Sequence, residues 1–160
     1  MRITKARVLK TNINPNAPLS EGTVYLEINK MQIACFVSNW KRGRSFNIGE
    51  EVLVELNVNP YRKFTKTEKC QKSITHLTNA PDSHYNICGQ VIDMEVGGCE
   101  VDDRYYWVDC GVIFKMVMKR RNNIHINDFI EGRVRMDAEK VLFDALECTP
   151  FSGHIEQRPK

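Results

Sequence analysis

Apolar and polar positions alternate with a period of two through most of this chain. In VLVELNV (52–58) Val52, Val54, Leu56 and Val58 share one side while Leu53, Glu55 and Asn57 share the other, and TVYLEI (23–28) sets Val24, Leu26 and Ile28 against Tyr25 and Glu27. That periodicity belongs to a strand with one buried face. QIACFV (32–37) continues it with Ile33, Cys35 and Val37 aligned, and only Asn29, Lys30 and Met31 separate it from the preceding strand, so the two form a hairpin.

The second half of the chain replays the same order. KARVLKT (5–11) answers to CGQVIDME (88–95), TVYLEI to YYWVDC (105–110), QIACFV to VIFKMVM (112–118), and NIGEEVLVEL (47–56) to INDFIEGRVRM (126–136). Val8 and Val52 lie 44 residues apart and Val91 and Val134 lie 43 apart, which is the signature of an internal repeat. A fifth strand per unit is expected in QKSITHL (71–77) and KVLFDAL (140–146). Between the copies, NAPDSHYN is polar and carries Pro81, the composition of a short linker. The division is therefore a first unit over residues 1–78, a linker over 79–86, and a second unit over 87–160 with a polar C-terminal tail.

The strand plan, a long first strand, a hairpin, a connecting segment, a fourth strand entered through a turn such as Ile48-Gly49-Glu50, and a fifth strand, resembles the OB fold, a small five-stranded Greek-key barrel. Gly89, inside the first strand of the second unit, fits the bend such a barrel requires. The expected fold class is all-β, two tandem five-stranded OB-like barrels with at most short helices near 38–47 and 119–129. A single split β-sandwich would give a similar pattern. Strand centres on the apolar rows, among them Val8, Leu26, Val54, Val91, Val108, Val134 and Leu142, should be buried.

Charge separates the two units. Residues 1–80 hold 13 Lys/Arg against 6 Asp/Glu, whereas 81–160 hold 10 against 14. MRITKARVLKTN carries no apolar stretch of signal-peptide length, and the apolar run VIFKMVM is interrupted by Lys115, so the expectation is a cytoplasmic protein without a membrane span. In that compartment the six cysteines should be mostly reduced thiols, with Cys35 and Cys110 packed in the core.

In the first unit the stretch NPYRKFTKTEK (59–69) interleaves Tyr61 and Phe64 with Arg62, Lys63, Lys66 and Lys69, and Lys72 follows. The stretch NWKRGRSF (39–46) adds Trp40, Lys41, Arg42 and Arg44. Tyr25 and Phe36 fall on the faces opposite the apolar rows of their strands. Aromatic rings stack on bases and cations track phosphates, so this interleaving suits single-stranded DNA or RNA. The resemblance to OB folds implies the same surface, since they commonly bind oligonucleotides on the outer face of strands two and three and on the neighbouring loops.

The second unit lacks that loop, having only DAE (137–139) at the matching place, and its VGGCEVDD (96–103) is acidic. Asp102 and Asp103 beside Tyr105 and Trp107 suit a basic protein partner, as in an intracellular inhibitor or immunity-type protein that docks a toxin or enzyme. Cys70, His76, His84 and Cys88 have ligand types suited to zinc, but lack the tight paired spacing of zinc motifs, so no metal and no other cofactor is expected. No nucleophile-elbow, zincin, phosphate-loop or dinucleotide motif occurs, and the carboxylates Asp93, Glu95, Asp102, Asp103 and Asp109 read as a solvated rim. The sequence thus points to a binding protein, not an enzyme.

Overall fold

The structure is a computed structural model that describes residues 2–13, 21–38, 45–60, 64–120 and 122–141. Among the described residues ten strands appear: β1 (Thr4–Ile13), β2 (Gly22–Ile28), β3 (Met31–Val37), β4 (Glu51–Pro60), β5 (Thr65–Thr67), β6 (Ser73–His76), β7 (His84–Val96), β8 (Asp103–Asp109), β9 (Ile113–Lys119) and β10 (Phe129–Lys140). The chain is all-β, with no helix among the described residues.

Eight of these strands close into a circuit in the order β1-β2-β3-β10-β7-β8-β9-β4 and back to β1. A further antiparallel ladder crosses that circuit, joining Val54–Val58 of β4 to Met136–Lys140 of β10. It divides the barrel into two five-strand rings, β1-β2-β3-β10-β4 and β7-β8-β9-β4-β10. In each ring the third strand meets its far neighbour in parallel, Phe36 opposite Asp137 and Lys115 opposite Asn57, and every other rung is antiparallel. This order is compatible with an OB-like barrel.

β4 and β10 can serve two rings because both are long and keep an unbroken inward row. Val52, Val54, Leu56 and Val58 are buried along β4, and Ile130, Val134, Met136 and Ala138 along β10. The expected fifth strands are therefore corrected. The stretch 71–77 yields only β6, four residues with a half-exposed pattern that pair with β7 at an edge of the sheet. Its two outermost residues are polar or exposed, so it has no second face to close a ring. The place beside β4 in the first ring goes to the C-terminal half of β10. The other expected fifth strand, 140–146, lies almost entirely outside the described residues.

The repeat is visible in hydrogen bonds. Val8 donates its N–H to the Glu50 carbonyl at 2.9 Å and accepts from the Gly49 N–H at 2.8 Å. Val91 does the same with Asp128 at 2.9 Å and Asn127 at 2.7 Å. Gly49 (φ 85°) and Asn127 (φ 76°) both occupy the left-handed region that Gly and Asn tolerate best. NIGE (47–50) thus matches HIND (125–128), which makes Ile130, not Val134, the partner of Val52: Ala6 faces Val52 as Gly89 faces Ile130. Gly89 is a point of close approach, since a Cβ there would stand 2.7 Å from a Val108 methyl and 2.9 Å from the Asp109 carbonyl oxygen.

Val8, Leu26, Val54, Val91, Val108 and Val134 are buried as expected, while Leu142 lies outside the described residues. Cys35, Cys99 and Cys110 are free thiols, but Cys70 and Cys88 are joined in a disulfide, with Cα atoms 6.6 Å apart. Backbone pairing of Ser73 with Cys88 brings the two together, a proximity no local pattern reveals. Cys35 and Cys110 are buried free thiols.

Candidate nucleic-acid interface

β2 and β3 pair in the register Thr23 opposite Phe36 and Tyr25 opposite Ala34. Tyr25 and Phe36 are therefore diagonal neighbours on the outward face, each half-exposed, within reach of one another's contacts. A cation stands over each ring: Lys10 Nζ lies 5.2 Å from the Tyr25 centroid, and the Arg135 guanidinium lies 4.1 Å from that of Phe36. Arg135 is held over the ring by a two-bond pairing with Asp137, Nε to Oδ1 at 2.7 Å and Nη2 to Oδ2 at 2.9 Å. The parallel pairing of β10 with β3 delivers that arginine.

Beside Phe36 a depression of about 190 Å³ is lined by Phe46, Asn57, Asp137 and Lys140. Lys140 Nζ donates there to the Ser45 carbonyl at 2.9 Å and to Glu50 at 2.7 Å. Beside Tyr25 a second, more open cleft of about 360 Å³ lies between the β2–β3 face and the β6–β7 turn. Tyr25 donates its hydroxyl to Asp82, and that bond, with a contribution from burial, pushes the phenol up to about 12. Tyr85, whose own phenol is raised by burial, accepts the Ala34 N–H at 2.8 Å.

The stretch 59–69 divides. Tyr61, Arg62 and Lys63 lie outside the described residues, as do Trp40, Lys41, Arg42 and Arg44. Phe64 is half-buried and packs on Gly132, where a Cβ would stand 2.8 Å from its ring. Thr65 to Thr67 form β5 along β10, and Lys66 pairs with Asp128 at 3.1 Å. Lys69 is exposed, and Lys72 pairs with Asp109 at 2.8 Å. Gly132 and Asp137 are five residues apart on β10, roughly 16 Å at strand rise, so Phe64 is not beside Phe36.

On the second ring Trp107, expected to face a protein partner, is instead buried, 3% exposed. Strand alternation does turn it outward, but Arg2 lies over its ring at 6.0 Å, held by Asp93 at 3.0 Å, and Tyr105 stands edge-on at 6.1 Å. Asp103 is also buried, bonded to Lys119 at 2.6 Å and to the Glu100 N–H at 3.0 Å, and the Lys119 ammonium holds its carboxyl below the usual range. Asp102 is exposed, and Tyr105 is half-buried with Lys115 Nζ 4.6 Å from its centroid.

The zinc-type quartet is not assembled. Its two cysteines are bonded to each other, His76 Nε2 lies 3.2 Å from the Pro81 carbonyl, and His84 faces Arg135 across the β7–β10 ladder. Burial and the Arg135 charge lower the His84 pKa. Lys10, Gln32, Asp82 and Arg135 are the residues that reasoning from sequence missed. Alternation along β1 and β3 could have found Lys10 and Gln32, but Asp82 and Arg135 depend on long-range pairing. No protein-family model matches the chain, and no curated protein matches it.

Proposed function

We propose that the protein is a non-enzymatic binder of single-stranded nucleic acid, built as two tandem OB-like units, and that the outward face of β2 and β3 is its binding surface. The observation that carries the reading is the diagonal pair Tyr25 and Phe36, each half-exposed with a cation over its ring. Bases stack on such rings, and a guanidinium plane is itself a stacking partner. β3 ends at Val37, one residue beyond Phe36, and the sequence then runs into Trp40, Lys41, Arg42 and Arg44. Cations in that stretch and in 61–63 would supply phosphate contacts along the strand.

Fluorescence anisotropy with labelled single strands at two salt concentrations tests it. Each neutralised phosphate contributes a slope of about −0.7 in log affinity against log salt, so four to five contacts give roughly −3. Tyr25→Ala and Phe36→Ala should each cost about 1–3 kcal/mol of binding. Absence of binding at low salt, or indifference to both substitutions, removes the reading.

A second reading, docking of a protein partner by the acidic unit, has its own observation: Val96, Val101 and Val117 are 77%, 92% and 44% exposed near Asp102. An inhibitor or immunity-type protein would use such a mixed apolar and acidic edge against a basic toxin or enzyme. A partner recovered from native lysate after nuclease treatment, and lost on Asp102→Lys with Val101→Ser, would favour it.

A further inference from the structure

We propose that the cleft between the β2–β3 face and the β6–β7 turn is a guanine-selective subsite; this rests on the single-strand reading above. Tyr25, Gln32 and Ala34 form its floor, and Ile74, His76, Asp82 and Tyr85 rise opposite them. Its volume of about 360 Å³ falls within the range of small-ligand sites, about 300–1,000 Å³. The side chain of Asp82 is 58% exposed and has used one oxygen to accept the Tyr25 hydroxyl. An ionised carboxylate offers about four acceptor positions and no donor, so acceptor capacity remains.

An acid is the wrong group for a phosphate. It is the right one for guanine, the only common base whose Watson–Crick edge sets two donors, N1–H and the N2 amino group, side by side. Adenine sets one donor beside one acceptor there, cytosine one donor beside two acceptors, and uracil and thymine flank one donor with two acceptors. In a single strand that edge is free to be read. Gln32, exposed on β3, can donate its amide to the guanine O6, while Tyr25 and the His76 ring supply flat surfaces for the base.

The test compares three labelled oligothymidylates, each carrying one central guanine, hypoxanthine or adenine, by anisotropy at fixed salt. Hypoxanthine lacks the N2 amino group, so affinity should fall from guanine through hypoxanthine to adenine, with about ten-fold or more between the extremes. Asp82→Asn should bring the guanine-to-adenine ratio close to one, and Gln32→Ala should reduce it; thermal melts of both variants report folding. Equal affinity for all three strands, with binding intact, overturns the subsite and leaves the single-strand reading standing. A guanine preference that survives Asp82→Asn also overturns the subsite. No binding of any strand overturns both.

Discussion

Cys35 and Cys110 illustrate how strongly a side chain's chemistry depends on what surrounds it. Burial pushes the Cys35 thiol far up and the Cys110 thiol up to about 12, so neither reaches the reactive thiolate near neutral pH. Cys99 is exposed in the turn between β7 and β8. Among the five cysteines of the described residues, iodoacetamide at pH 8 should therefore add to Cys99 alone in the native protein. Cys70 and Cys88 should become available only after reduction, and Cys35 and Cys110 only after unfolding. Peptide mass mapping checks this, and native labelling of Cys35 would contradict the packing of β3. At this scale the sequence was a good guide to the inward residues and a poorer one to the outward ones. Val54 is buried because its own strand alternates, but Trp107 is buried because Arg2, far away in sequence, covers it.

Turns at the head of β4 and β10 show what an element inherits from its neighbours. Burial raises the Glu50 carboxyl, but the Lys140 ammonium and the Asn47 N–H outweigh that and hold it below the usual range. The His125 N–H, with Lys66, lowers Asp128. A carboxyl lowered in the folded state stabilises that state above its ordinary pKa of about 3.9–4.3, and the contribution is lost as pH falls through and below that range. Glu50→Gln and Asp128→Asn, which keep an acceptor and remove the charge, should flatten the loss of stability between about pH 5 and pH 2. Urea unfolding at a series of pH values measures it; slopes parallel to those of the unaltered protein would count against these interactions. Individual strands and the β2–β3 hairpin were legible, because alternation and a short turn are local. The β4–β10 ladder was not: nothing in VLVELNV states which of several apolar rows will lie beside it.

For the molecule as a whole, the shared ladder makes the two rings interdependent. A fragment 1–80 holds β1 to β4 but not β10, so its ring is open between β3 and β4 and leaves Val54, Leu56 and Val58 without their facing strand. We expect the fragment to be unfolded or associated, and fragments 1–80 and 81–160 to recover native circular dichroism only when mixed. A monomeric fragment 1–80 with native-like spectra would show that the first ring closes without β10. Intact protein should unfold in urea in one transition, because both rings are closed by the same two strands, β4 and β10.

That sharing also imposes a schedule on biosynthesis. Strand pairs such as β1–β2 and β2–β3 can form as soon as they leave the ribosome, but β4 emerges about 80 residues ahead of the end of β10. At about 5–20 residues per second, the apolar edge of β4 stays without its permanent neighbour for roughly 4–16 s. Pairing over such sequence separation is intrinsically slow, and an exposed edge is the part of a nascent chain most prone to join another copy. The nascent chain should therefore engage cellular chaperones over the stretch between β4 and β10, and release them only once residue 140 is free to cross the barrel.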